Sequence, residues 1–187
     1  MRAFVGLPVP EPLSSALVAA QARLPLPRPV PEDDLHLTLA FLDDRPEAQL
    51  EAFAEALDAR RLEGCRLRPA GLGPFGDPPR LIAAEFRRDP PLEALERQCR
   101  AAAREAGIDL PRRRFRPHVT LARLRRADPL DPARLAAALA APLALPEVAA
   151  ERVTLWSSTL TPDGPRYEAL ADWPLPPLRD GADTAEV

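Results

Sequence analysis

The chain carries the stretch Arg116-Pro117-His118-Val119-Thr120-Leu121-Ala122-Arg123-Leu124, and a close copy of its last seven residues appears earlier. His36-Leu37-Thr38-Leu39-Ala40-Phe41-Leu42 matches His118-Val119-Thr120-Leu121-Ala122-Arg123-Leu124 at five of seven positions. The sequence contains only two histidines, and each opens one copy. Both copies have the apolar alternation of a strand, in which successive side chains point to opposite faces. His36 and Thr38 therefore share one face, as do His118 and Thr120, while Leu37, Leu39, Val119 and Leu121 turn to the core. We read this duplicated His-x-Thr element as the active site.

Two imidazoles with a reference pKa of about 6.5 can hold a single proton between them near neutral pH. One then accepts a proton while the other donates one. That pairing suits in-line displacement at phosphorus, with one ring activating the attacking oxygen and the other protonating the departing oxygen. Each positioned acid or base contributes roughly 10²–10⁴ in rate. The threonine hydroxyls can donate to non-bridging oxygens, and a nearby arginine can offset the developing charge.

The flanking sequence predicts the rest of the fold. Arg2 to Val9 reads as a strand, and Glu11 to Leu24 has helical spacing with Leu13, Leu17, Ala20 and Leu24 on one face. Pro25 to Pro31 is a proline-punctuated connector into the first motif strand, Asp34 to Leu42. Asp44 is a candidate N-cap for a helix running to about Arg60, followed by an extended stretch from Cys65 to Phe75. A similar order then repeats. Arg80 to Phe86 is a strand, Pro91 to Ala106 a helix stopped by Gly107, and Phe115 to Leu124 the second motif strand. Asp131 caps an alanine-rich helix ending at Pro142, and the segments Val148 to Leu160 and Arg166 to Trp173 form a closing hairpin. This order predicts an α+β chain of two lobes related by a pseudo-twofold, each giving one motif strand to a shared cleft. One two-lobed domain is expected over residues 1–175, with a disordered tail over 176–187.

Composition narrows the class. The apolar share of 46% suits a globular chain, and no apolar run approaches the ~20 residues of a membrane span. The start Arg2-Ala3-Phe4-Val5 reads as a strand rather than a signal peptide, so a cytoplasmic protein is expected. Cys65 and Cys99 are isolated and expected to stay reduced. All 25 basic residues are arginine, and the net charge of −3 argues against a general nucleic-acid coat. The arginines are nevertheless concentrated at 112, 113, 114, 116, 123, 125 and 126, with no acid between Arg112 and Arg126. Such a patch can track an RNA backbone. Glycine-rich phosphate loops are absent. A zinc set drawn from His36, His118, Cys65 and Cys99 lacks short chelate spacing, so no metal and no cofactor are expected. The Glu32-Asp33-Asp34 run reads as turn chemistry.

With both motifs in place, the chain resembles the two-histidine phosphoesterases. More narrowly it resembles the RNA 2′,3′-cyclic phosphodiesterases, also called 2′-5′ RNA ligases. The likeness extends through Arg2-Ala3-Phe4-Val5-Gly6, Val30-Pro31, Gly71-Leu72-Gly73-Pro74-Phe75, Phe115-Arg116-Pro117-His118, Leu155-Trp156-Ser157-Ser158-Thr159-Leu160 and Gly164-Pro165-Arg166-Tyr167-Glu168. It implies a bilobal α+β fold with antiparallel sheets lining a central cleft and helices outside. It also implies metal-independent opening of a terminal RNA 2′,3′-cyclic phosphate to a 2′-phosphomonoester, with reversible 2′-5′ ligation as an associated activity. His36 and His118 would take opposite acid–base roles, and His36 as acid is the working order. Thr38, Thr120 and Arg123 would bind the phosphate, and Phe41 and Phe115 are candidates to stack on a base, as is Trp156. The expected partner is an RNA with a cyclic phosphate end, tRNA fragments included, acted on by a monomer.

Two departures bear on the site. Pro29 stands where relatives commonly have an aromatic after the arginine matching Arg28. Strict alternation also turns Arg123 away from His118, so it needs a bulge to reach the cleft. The remaining readings are a phosphodiesterase for 2′-5′ oligonucleotides or small cyclic nucleotides, and a non-catalytic RNA-end binding module. Intact histidines at both sites weigh against the module, since binding alone needs no pair of titrating groups.

Overall fold

The computed structural model describes residues 1–112, 114–125, 131–141, 143–162 and 164–178. Its first half contains β1 (Arg2–Pro8), α1 (Leu13–Arg23), β2 (His36–Asp44), α2 (Glu47–Asp58), β3 (Arg66–Leu67) and β4 (Pro69–Phe75). The second half contains β5 (Leu81–Phe86), α3 (Pro90–Glu105), β6 (His118–Arg123), α4 (Pro132–Ala140), β7 (Val148–Ala149), β8 (Arg152–Thr161) and β9 (Gly164–Pro174). The architecture is α+β, as expected. Seven strands form one antiparallel sheet in the order β4-β5-β6-β2-β1-β8-β9, and β3 pairs with β7 separately.

The two motif strands lie side by side in the interior of this sheet. They meet at one antiparallel pair, Leu37 against Val119. These residues hold the same place in their motifs, so the local pseudo-twofold passes between them. Continuing that register by one residue sets His36 toward Thr120 and Thr38 toward His118. The sheet is thus a three-stranded half and a four-stranded half joined where the histidines are.

One face of the sheet is covered by helices. Val5, Leu7, Leu37, Leu39, Val119 and Leu121 share a buried cluster with Leu13 and Leu17 of α1, Phe53 and Leu57 of α2, and Leu92, Leu95 and Cys99 of α3. Both α3 ends are specified by sequence. The Asp89 side chain accepts from Leu92 N–H at 3.1 Å, with Pro90 and Pro91 in the first turn. At the other end Gly107 has φ 69, and Ile108 N–H bonds to the Ala103 carbonyl at 2.8 Å, a Schellman stop. Trp173 ties β9 to α2, donating its Nε1–H to Asp58 at 2.5 Å and meeting Phe53 edge-on at 6.5 Å.

Several boundaries differ from the expectation. Asp44 ends β2 rather than capping α2, whose N-cap position is taken by Pro46 without a side-chain bond. The extended stretch after Cys65 divides into β3 and β4, and the one read from Val148 divides into β7 and β8. Helix α4 stops at Ala140. The expected stop Pro142, together with Arg113, Arg126, Asp163 and residues 179–187 of the expected tail, lies outside the described residues. Pro176 and Leu178 pass so close to Gly64 that a Cβ there would sit 2.5 Å from the Pro176 carbonyl oxygen.

Candidate active site

A bulge occurs at the same place in both motifs. Val5 pairs with Ala40 and Gly6 with Thr38, leaving Leu39 as the extra residue. Ile82 pairs with Ala122 and Ala83 with Thr120, leaving Leu121 extra. An inserted residue reverses the facing of everything beyond it. Phe41 and Arg123, equivalent positions in the two copies, therefore turn onto the histidine face. The bulge that Arg123 needs is present. Leu121 stays buried, and its carbonyl accepts from Val30 N–H at 2.7 Å and from the buried Gln21 Nε2 at 2.8 Å. Pro29 bridges to Ala122 alongside, so the connector containing Pro29 braces this edge of β6.

The two imidazoles are held alike. His36 Nδ1 lies 2.6 Å from the Asp34 backbone carbonyl, and His118 Nδ1 lies 2.7 Å from that of Arg116. A carbonyl only accepts, so each Nδ1 carries hydrogen and each neutral ring presents Nε2 as its proton-accepting nitrogen. Each ring also packs against a phenylalanine at matching geometry. Phe4 lies 4.6 Å from His36 and Phe75 lies 4.5 Å from His118, both tilted 31°. Trp156 stacks on Phe4 at 5.0 Å, and Tyr167 meets His36 edge-on at 5.2 Å. Thr38 and Thr120 sit opposite Gly6 and Ala83, and the β1 backbone approaches β2 so closely that a Cβ on Gly6 would lie 2.5 Å from the Leu37 carbonyl oxygen.

The electrostatics are less symmetric. Burial lowers the His36 pKa to about 4; the bond to the Asp34 carbonyl opposes the fall, and the positive charges of Arg123 and His118 add to it. His118 is also lowered by burial, with the Arg116 carbonyl and the Glu85 carboxylate opposing and the Arg116 and Arg123 charges adding. Both rings are neutral in the free site at pH 7. If His36 is the acid, a bound phosphate must restore its proton. Glu85 pairs with His118 across β5 and β6, and ion-pairs with Arg116 at 3.7 Å. Arg116 lies over the Phe75 ring at 4.2 Å.

Of the residues singled out by sequence, the structure brings His36, Thr38, Phe41, His118, Thr120 and Arg123 to one face. Arg123 reaches Tyr167, donating from Nη2 to its hydroxyl at 3.2 Å. Phe41 is 54% exposed with its ring 5.9 Å from Phe4, so an apolar surface stands open beside His36. Phe115 is elsewhere: it is half-buried against the core, next to Arg88 and Arg114. Trp156 is taken up by Phe4 and His36. A cavity of about 440 Å³ opens beside Arg123 and Tyr167, bounded further by Arg28, Val30, Leu160 and Arg166. Phe4, Phe75, Tyr167 and Glu85 went unassigned by sequence, although three of them lie in segments that carry the resemblance. Their place depends on cross-strand register. Among the described residues, no three His, Cys, Asp or Glu side chains cluster as metal ligands would. No helix among them is long and apolar enough to cross a membrane.

Known proteins resemble this chain in sequence and fold. The pattern of the 2′-5′ RNA ligase superfamily matches residues 9–161. The RNA 2′,3′-cyclic phosphodiesterase of Geobacillus stearothermophilus is 31% identical over 95% of this chain, which spans 58% of that protein's length. The protein of the same name from Thermus thermophilus is 36% identical over 94% of this chain and 90% of its own. The crystal structure of TT0787, also of Thermus thermophilus, superposes with a TM-score of 0.78 at 32% identity, covering 94% of this chain and 98% of that one. That of E. coli LigT complexed with 3′-AMP gives 0.75 at 26% identity, covering 93% and 96%. Two bulged His-x-Thr strands meeting at mid-sheet, within a fold and sequence shared over nearly the whole chain, identify this protein as a member of the 2′-5′ RNA ligase superfamily.

Proposed function

We propose that this enzyme opens the 2′,3′-cyclic phosphate at an RNA 3′ end to a 2′-phosphomonoester, without a metal ion. The observation that carries the reading is the matched pair of imidazoles, each fixed at Nδ1 by a backbone carbonyl so that Nε2 is left for chemistry. The phosphate sits between them. One ring takes the proton of a water whose oxygen bonds to phosphorus. The other gives a proton to the 3′-oxygen as the phosphorus–O3′ bond breaks. Proton and leaving group thus balance within the site, and the two rings end with exchanged protonation. Thr38 and Thr120 donate to the non-bridging oxygens, and Arg123 offsets their growing charge. An anion between the rings raises both pKa values, which supplies the protonated ring that the free site lacks.

Phe41 and the cavity beside Arg123 are suited to a nucleotide, and the relatives named above for RNA cyclic phosphates support that substrate class. An RNA 5′-hydroxyl in place of water would make the same site a 2′-5′ ligase. The reading is tested by incubating the protein, in EDTA, with an RNA ending in 2′,3′-cyclic phosphate and identifying the product. A 2′-monoester is expected. Absence of turnover by folded protein, or a requirement for added metal, overturns the proposal.

A further inference from the structure

The arginine patch flanking the second motif does not end at the cleft. Arg116 and Pro117, immediately before His118, line a hollow of about 290 Å³ together with Glu85, Arg88, Arg114 and Phe115. A second hollow, of about 490 Å³, shares Arg88, Arg114 and Phe115 and continues along α3 past Arg97, Arg100 and Arg104. The two form one groove leading from the neighbours of His118 onto the outer side of α3. Arg97, Arg100 and Arg104 recur at helical spacing, so they line about 10 Å of helix axis. Phe115 lies in the stretch common to both hollows.

The charge of this groove is one-sided after internal pairing. Arg88 is taken by Glu93 at 2.5 Å, Arg100 approaches Glu96 at 3.6 Å, and Arg116 pairs with Glu85 at 3.7 Å. Every acid lining the two hollows is thereby used once. Arg97, Arg104 and Arg114 remain, all exposed and without a hydrogen-bond or ion-pair partner among the described residues. A solvated helix face accounts for Arg97 and Arg104 on α3, but not for Arg114 on a separate segment, completing a groove that reaches Arg116 and Pro117 just before His118. Three guanidinium groups unpaired among the described residues, in a groove whose near end is Arg116 and Glu85 beside His118, match a chain of phosphates arriving from that side.

We propose that this groove binds the ribose–phosphate backbone of the RNA strand whose 3′ end enters the cleft, making the enzyme selective for oligonucleotides over free cyclic nucleotides. The inference rests on the function proposed above and extends it from the reacting phosphate to the strand behind it. Three neutralised phosphates at about 0.7 each give a slope of about −2 in log affinity against log salt for a single strand. Between about 50 and 200 mM salt this contact alone accounts for roughly a 20-fold loss of affinity.

The test compares the native chain with the triple variant Arg97→Gln, Arg104→Gln, Arg114→Gln. Binding of a short RNA oligomer is followed by fluorescence anisotropy against salt. Turnover is measured on the same oligomer and on a dinucleotide, each ending in 2′,3′-cyclic phosphate. The variant is expected to lose about 2 from the salt slope and to raise KM for the oligomer, with kcat and dinucleotide turnover kept. An unchanged slope and unchanged oligomer KM overturn the groove while leaving the proposed reaction intact. Native protein that turns over neither substrate overturns the reaction, and the anisotropy slope then judges the groove independently. Unchanged RNA affinity with lost binding of polyglutamate would assign the groove to an acidic polypeptide instead, again overturning the proposal.

Discussion

Acidification should destabilise this protein through His36 in a way that one substitution can isolate. In the folded chain burial lowers its pKa to about 4, whereas the unfolded chain titrates near 6.5. Between these values the unfolded state holds a proton that the native state does not, so stability falls as pH drops through this window and is fully present above it. Linkage gives a loss of about 2 kcal/mol by pH 5 and about 3 kcal/mol by pH 4. Carboxylates titrate over part of the same range, but they do so equally in a His36→Gln variant, and the difference between the two proteins removes them. The assay is urea unfolding at a series of pH values, with native protein and variant compared at each. The native protein should lose about 3 kcal/mol relative to the variant between pH 7 and pH 4. A difference that stays flat refutes the claim that burial holds His36 neutral. Adding inorganic phosphate should shift the His36 titration upward, as an acid–base role requires.

Four further substitutions probe the site and its frame. Arg123→Ala removes a guanidinium that faces both histidines, and kcat on a cyclic phosphate substrate should fall by about 10²-fold. Retained kcat would place this arginine outside the reaction. Phe41→Ala should raise KM by the worth of one base–aromatic stack, about 1–3 kcal/mol, with kcat kept. Phe115→Ala should instead lower the unfolding midpoint and leave KM for a dinucleotide unchanged; the opposite pattern would exchange their roles. Gly6→Ala would set a Cβ 2.5 Å from the Leu37 carbonyl oxygen. The motif backbone has to shift, at a cost of about 1–3 kcal/mol in unfolding experiments and with loss of activity, whereas an unaffected variant would contradict that contact.

The duplicated motif was fully legible because a strand's facing rule is local, and His36, Thr38, His118 and Thr120 obey it. The stop of helix α3 was equally plain at Gly107, whereas its start, read at Pro91, lies at Pro90 behind the Asp89 cap. What could not be read is whatever depends on a partner strand. Arg123 is turned away by strict alternation. Only the pairing of Ile82 with Ala122 and Ala83 with Thr120 reveals the extra residue that turns it back. The same effect brings Phe41 to the site, and nothing within β2 announces it. Phe4 and Glu85 are cleft residues by register with the motif strands, Phe75 by its ring packing from β4 onto His118, and Tyr167 by the return of the last hairpin. Phe115 precedes the first residue of β6, so alternation counted back from His118 does not apply to it.

The central claim is that His36 and His118 act together on one phosphate, as partners in a single proton exchange. It is tested most directly by single-turnover rates on an RNA 2′,3′-cyclic phosphate for His36→Ala, His118→Ala and the double variant. Each single change should cost at least about 10² in rate, and the double should be little worse than either, because groups acting as a unit are not additive. A single variant that keeps the native rate, or a double whose loss is the full product of the two, would contradict the account.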